Sequence, residues 1–361
     1  FGRMPNLFLA ANGGISAVRG GWYGGLGPGK GLTDMGGRPG GGGYGGYGAA
    51  GQISTSTGGV YYGSAAAPAD PGSGGGDYSV SYSRGGRGGG LVKLDVTNAV
   101  LVEGSITANG ESAANGGGGS GGGIDLTCRT ISGANGILCA IGGAGDTSYF
   151  GGGGGGRIAV NYNPAAQAGV PMPNLRFSAL GGAGYHAGDL GTLYFPDHYF
   201  LAGPITNLNG QLVNVSAWSP GSLALSNNWI RFSVPGVQVT VTNDLRIVGN
   251  SGRLDLGAPN AVRWNTNLTN TWHASQYNDS TSRPILTIGG NFILTNGGSF
   301  RVYSAVTNTV VTNDNGASVT VEGTMLIASN CWVYPVCNPT NGGAPRFQVN
   351  NLTILPFGGI N

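Results

Sequence analysis

Charge is scarce in this chain of 361 residues. Asp, Glu, Lys and Arg together make up 9% of it, and the formal net charge is +2. Soluble domains usually carry about 25% charged residues. So few cations cannot build an extended basic face, which excludes nucleic-acid binding by phosphate neutralisation as a main activity. Histidine occurs 3 times and cysteine 4 times, with no CxxC spacing. That leaves little for a zinc site, and no metal or other cofactor is expected. No run of 18 apolar residues occurs, so no segment reads as a membrane-spanning helix. The basic stretch and apolar core of a secretory leader are missing too, and a chain opening on Phe1 reads as a processed or excised segment. Stretches rich in Ala, Leu, Glu and Lys are few, and no helical apolar period stands out.

Glycine, in contrast, is abundant: 75 residues, against a usual share of ~7%. Of these, 58 fall in residues 1–200 and 17 in residues 201–361. Two regions follow, a glycine-rich one over 1–200 and a second one over 201–361. Disorder is not implied, because 40% of the chain is hydrophobic and the 15 Tyr, 11 Phe and 6 Trp can form a core.

The second region repeats a rhythm. "VTVTNDLRIVGNSGRLDL" (239–256), "LTIGGNFILTNGGSFRVY" (286–303) and "VTVEGTMLIASNCWVYPV" (319–336) can be read one beneath the other. Each opens apolar-x-apolar, and a second such pair follows: Leu245 and Ile247, Phe292 and Leu294, Met325 and Ile327. A third pair follows a small-residue turn: Leu254 and Leu256, Phe300 and Val302. A fourth copy, "FQVNNLTIL" (347–355), is one residue shorter before its second pair. Alternation over four or five residues marks half-buried strands. Three short strands per unit, separated by Gly/Asn/Asp/Ser turns, make one coil of a solenoid that must stack on its neighbours. Residues 258–284 read as an insertion. The first region carries the same rhythm under its glycines, as in Leu94/Val96, Val100/Val102 and Ile106.

In order along residues 6–195 stand "GLGPGKG", "GGYGGYG", "YGSAAAPADPGSGGG", "GGGLVKLDV", "GSITANG", "GGGGSGGGIDL", "GGGGGGRIAV" and "GTLYF". In these phrases the chain resembles the glycine-rich surface proteins of environmental bacteria that carry right-handed parallel β-helices. The resemblance implies an extracellular or cell-surface location, and a fold shared with adhesins, autotransporter passengers and polysaccharide lyases. The expected fold is all-β: a right-handed parallel β-helix with ordered glycine-rich loops packed along one side. The glycine runs are read either as packed strands of polyproline-II type or as ordinary surface loops.

Motifs for chemistry are weak. "GLGPGKG" (25–31) begins like a phosphate loop, but Gly31 stands where Ser or Thr must hold Mg²⁺, so a Pro28-Gly29 turn is the expectation. The nearest carboxylate groups are Asp70 with Asp77, and Asp189 with Asp197 around His198; both read as loop residues. The chain is expected not to be an enzyme. The Thr/Asn-rich stretches "VTVTN", "NTNLTN" and "TNTVVTN" read as ladders stacked at solenoid turns. Tyr23, Tyr44, Tyr47, Tyr61, Tyr62, Tyr78 and Tyr82 read as plugs for gaps beside glycine, or as a sticky aromatic surface.

Cys128 lies near Cys139, and Cys331 near Cys337. Two local disulfides are expected from this pairing, with buried free thiols the alternative. Finally, "NLFLAANGGIS" (6–16) and "NLTILPFGGIN" (351–361) match at equal spacing. This match points to coil edges that stack head to tail between copies, through Leu7, Leu9, Ile15, Leu352, Ile354 and Ile360. The expected function is structural self-assembly into a filament, sheath or surface layer. An adhesin-like monomeric rod that binds polysaccharide is the alternative.

Overall fold

The computed structural model describes residues 3–32, 38–52, 57–78, 85–259, 261–266, 272–277, 280–307, 315–338 and 343–361, with 261–266 and 272–277 as backbone only. Tyr82, and most of "NTNLTN" and "TNTVVTN", lie outside the described residues. The chain winds as a right-handed parallel β-solenoid; among the described residues helix is limited to one turn at Pro164–Gln167 and a short 3-10 turn at Tyr199–Leu201. It divides into two compact units. One comprises Phe1–Tyr199 with Asn209–Gln211 and Asn265–His273; the other comprises Phe200–Leu208, Leu212–Trp264 and Ala274–Asn361.

In the second unit the aligned repeats become three-sided coils. The first apolar pairs stack as Val239↔Leu286↔Val319↔Phe347. The second pairs stack as Leu245↔Phe292↔Met325↔Leu352 and Ile247↔Leu294↔Ile327↔Ile354. The third stack as Leu254↔Phe300↔Val333↔Ile360. All are parallel and in register, because a one-residue slip would turn each inward row outward. The missing residue of the fourth copy appears as a register shift opposite Val321/Thr324. Phe292 and Phe300, both fully buried, meet edge to face inside the coil at 5.1 Å. Burying each such side chain contributes about 1.5–3 kcal/mol. Polar ladders hold a corner: Asn291 donates from its backbone N to Asp244 Oδ1 at 2.8 Å, and Thr324 N donates to Asn291 Oδ1 at 2.9 Å. Residues 261–266 and 272–277 form a separate two-stranded sheet.

The first unit uses the same coil. Its rows are Leu7–Leu9, Ala99–Val102 and Thr130–Ser132; then Gly14–Ser16, Ser105–Thr107, Ile137–Cys139 and Arg176–Ser178; then Leu91–Asp95, Gly123–Thr127, Arg157–Asn161 and Thr192–Tyr194. Between the coils the chain makes glycine-rich excursions, 17–90, 108–122, 140–156 and 179–191, which all leave at the same corner. Each closes with the same bond: Gly90 N to Ala17 O, Gly122 N to Ala108 O, Gly156 N to Ala140 O and Gly191 N to Ala179 O, all 2.7 Å.

These excursions are not ordinary surface loops. Along the return limb 117–122, successive amides donate to three different neighbours in rotation. Gly117 and Ser120 donate to Gly76 O and Ser73 O, Gly118 and Gly121 to Gly151 O and Gly154 O, Gly119 and Gly122 to Glu111 O and Ala108 O. Gly151 to Gly156 follow the same rotation, to Pro39 and Gly42, to His186 and Asp189, and to Gly143 and Ala140. A three-residue period is that of the polyproline II helix, which has no internal hydrogen bonds and must find its partners laterally. Packing these helices side by side satisfies that need and orders polyglycine. The backbones approach too closely for side chains: a Cβ on Gly122 would lie 1.9 Å from Gly90 O, and one on Gly156 would lie 2.1 Å from Gly122 O. Two buried serines enter the bundle with partners for their hydroxyls, whereas the buried Tyr44 hydroxyl has none. Ser73 N donates to Ser120 Oγ at 2.8 Å, and Ser73 Oγ to Tyr62 Oη at 2.9 Å.

Candidate functional site

Both end coils present open strand edges. Leu7–Leu9 pairs with Ala99–Val102, and Gly14–Ser16 with Ser105–Thr107; no described strand pairs with their other sides. At the far end, Pro345–Ile354 pairs only with Ala317–Ile327, and Gly359–Ile360 only with Trp332–Val336, among the described residues. Leu7, Leu9 and Ile15 stand in register with the buried Val100, Val102 and Ile106. Leu352, Ile354 and Ile360 stand in register with the buried Met325, Ile327 and Val333. All six therefore occupy inward rungs. Leu352, Ile354 and Ile360 are nevertheless 47%, 44% and 43% exposed, since nothing described covers them.

The corner joining the two strands is the same at each end. Gly13 N donates to Ala10 O at 2.9 Å with Asn12 at φ 65°, and Gly358 N donates to Leu355 O at 3.0 Å with Phe357 at φ 64°. Ala328–Cys331 repeats it, at 3.1 Å with Asn330 at φ 61°. A positive φ at the third position is the mark of a type II turn.

The cysteines correct the sequence expectation: all four are free thiols. Cys331 and Cys337 flank the strand Trp332–Val336, whose extended backbone holds them roughly 20 Å apart at ~3.3 Å per residue. A disulfide needs less than ~7 Å between Cα atoms. Cys128 follows the strand Gly123–Thr127, while Cys139 ends Ile137–Cys139 on another side of the same coil. Burial pushes the Cys128 thiol up to about 12; it also raises Cys139, to about 11, with Arg176 opposing.

The loop carboxylates serve the fold. Asp77 Oδ1 accepts from Gly85 N at 2.9 Å, and Asp197 accepts from Tyr199 N at 3.0 Å and from the Tyr162 hydroxyl. "GLGPGKG" forms the expected turn, closed by Lys30 N to Gly27 O at 3.2 Å. The tyrosines divide between the two readings. Tyr44 is fully buried, whereas Tyr23, Tyr61 and Tyr78 are about half exposed. Tyr23 also lines, with Arg19, Arg87 and Glu111, a groove of about 430 Å³. Among the described residues no three of His, Cys, Asp and Glu gather as metal ligands.

One cluster was missed in the sequence. On the outer side of the third row of the second unit, Trp229↔Arg253↔Ser299↔Trp332 and Arg231↔Asp255↔Arg301↔Tyr334 stand in two adjacent columns. Asp255 is fully buried. It accepts from Arg231 Nε at 3.0 Å, from Arg253 Nε at 2.7 Å and Nη2 at 2.9 Å, and from Trp229 Nε1 at 3.0 Å. Burial pushes its carboxyl up, but Arg253 and Arg231 outweigh this and hold it below the ordinary carboxylate range. Arg301 is left over: its Nη1 lies 3.4 Å from Tyr303 Oη, its guanidinium lies 5.1 Å from the Tyr334 ring centre, and its buried Nε has no partner. A buried donor without an acceptor costs about 1–3 kcal/mol. The signal available in the sequence was the outward positions of "WIRF", "RLDL", "SFRVY" and "WVYPV", which only the strand register brings together.

No protein-family model matches the chain, and no curated protein and no solved structure is detectably similar to it.

Proposed function

We propose that this chain is a structural protein of the bacterial surface or extracellular space, whose copies stack end coil on end coil into a filament, sheath or layer. The observation that carries this reading is the shared corner of the two end coils, with equal spacing from Leu7 to Ile15 and from Leu352 to Ile360. A copy placed at ~4.8 Å strand spacing would continue both rows, setting Leu7 on Leu352, Leu9 on Ile354 and Ile15 on Ile360. Such a heterologous contact does not close on itself, so it propagates. The surface location rests on the likeness of residues 6–195 to glycine-rich surface proteins. In this reading the chain turns over no substrate.

Negative-stain microscopy at neutral pH tests the stacking. The chain should form filaments or sheets, and Leu9→Lys or Ile354→Lys should leave single particles with an unchanged β-sheet circular dichroism spectrum. Normal filaments from both variants would sink it. A second reading, a monomeric adhesin-like rod that holds polysaccharide, is favoured by the arginine–aromatic columns of the second unit.

A further inference from the structure

We infer that Asn351 is a polar latch between stacked copies: its side-chain oxygen accepts from the backbone amide of Asn6 in the next copy and sets how one end coil is turned on the other. This rests on the stacking reading above and names what fixes its register.

A rule holds inside the chain. In successive coils, the residue just before the strand of one row offers its side-chain oxygen to an amide of the following coil, that of its register partner. Asn291 N donates to Asp244 Oδ1 at 2.8 Å, and Thr324 N donates to Asn291 Oδ1 at 2.9 Å. The first unit obeys the same rule. Ala99 N donates to Asn6 Oδ1 at 3.2 Å, and Asn98 Nδ2 donates to the same oxygen at 3.0 Å. The residues that follow stand in register accordingly, Leu245↔Phe292↔Met325 and Leu7↔Val100.

Asn351 precedes Leu352 as Asn6 precedes Leu7, and it stands in register with Thr324. It is the last described rung of this ladder, exposed, and its side chain meets no donor among the described residues. At the other end, Glu103 N donates to Leu9 O at 2.8 Å, which turns the backbone groups of Leu9 and Leu7 toward the following coil. These groups alternate from side to side along a strand, so the Asn6 amide faces the open edge. One end thus offers an acceptor where the other offers a donor. A copy that sets Leu7 on Leu352 brings the two together. Leu352 N then meets Asn6 O, as Leu245 N meets Asn291 O at 2.9 Å.

Apolar rungs stand on all three sides of a coil. Their burial alone does not choose how one end coil is turned on the next. The latch does, because Asn351 meets Asn6 in only one such setting. A slipped junction would bury the Asn6 amide without an acceptor.

The critical concentration for filament formation, measured by pelleting at neutral pH, tests this. Asn351→Leu keeps the size of the side chain and adds apolar surface, but it has no acceptor. It should raise the critical concentration about tenfold. Asn351→Asp keeps the acceptor, as Asp244 does inside the chain, and should assemble like the parent. Thermal melting separates loss of contact from loss of fold; if Asn351→Leu melts early, Asn351→Ala takes its place with the same expectation. Asn351→Leu assembling as readily as the parent would overturn the latch and leave the apolar stacking standing. So would Asn351→Asp assembling as poorly as Asn351→Leu. A parent chain that forms no filaments would remove both.

Discussion

Asn12 and Phe357 hold one backbone conformation, φ 65° and 64°, at the third position of matching turns in the two end coils. Asparagine tolerates this left-handed region, whereas a bulky side chain rarely adopts it. Phe357 is also 81% exposed, so packing does not compensate. Phe357→Asn should therefore raise the unfolding free energy by about 1 kcal/mol. Urea denaturation checks this, and an unchanged or lower midpoint would contradict the strain. If the end coils stack as proposed, the same variant should assemble no better despite its greater stability.

The polyglycine bundle makes a sharp distinction between glycines. Gly122→Ala places a methyl 1.9 Å from Gly90 O, where only backbone movement can make room, and should cost about 3 kcal/mol. At Gly169 the nearest atom is Ala166 O at 3.6 Å and φ is not positive, so Gly169→Ala should leave stability unchanged or raise it by up to ~1 kcal/mol. Thermal melts of the pair decide the matter. Equal effects would mean that the excursions are loosely packed loops.

Asp255→Asn removes the counter-charge of Arg231, whose side chain is 1% exposed. Removing one member of a buried ion pair costs about 3–5 kcal/mol. The pH dependence has a definite sign. Because the carboxyl is held below its unfolded value, its contribution is complete above about pH 4. It is then lost as pH falls through the depressed folded value. Urea midpoints from pH 7 to pH 2 should fall less steeply in the variant than in the parent chain. Parallel curves would show that Asp255 is not the group that titrates.

The thiols offer a simple count. In the folded chain Cys337 is exposed while Cys128, Cys139 and Cys331 are buried. A thiol reagent near neutral pH should therefore label one cysteine promptly, and all four after denaturation without reductant. Fewer than four in denaturant would restore a disulfide.

Much of the coil was legible in the sequence. The pairs Leu245/Ile247, Phe292/Leu294 and Met325/Ile327 stack as their alignment implies, and even the shortened fourth copy appears as a register shift. The physical reason is that an inward rung must be apolar at a period of two, so burial writes itself into side chains. The glycine excursions are different. Their order comes from backbone amides turning through three neighbours, and a backbone leaves no mark on which run packs beside which. Glycine at 117–119 and 151–156 announced close approach but not its partner. The cysteine pairing also failed in sequence, because nearness along the chain becomes distance once a strand or a corner intervenes. Arg301 and Asp255, 46 residues apart in sequence, became neighbours only through the register of stacked coils. Side-chain patterning thus fixed which residues line the core, while tertiary packing decided which backbones, thiols and charges meet.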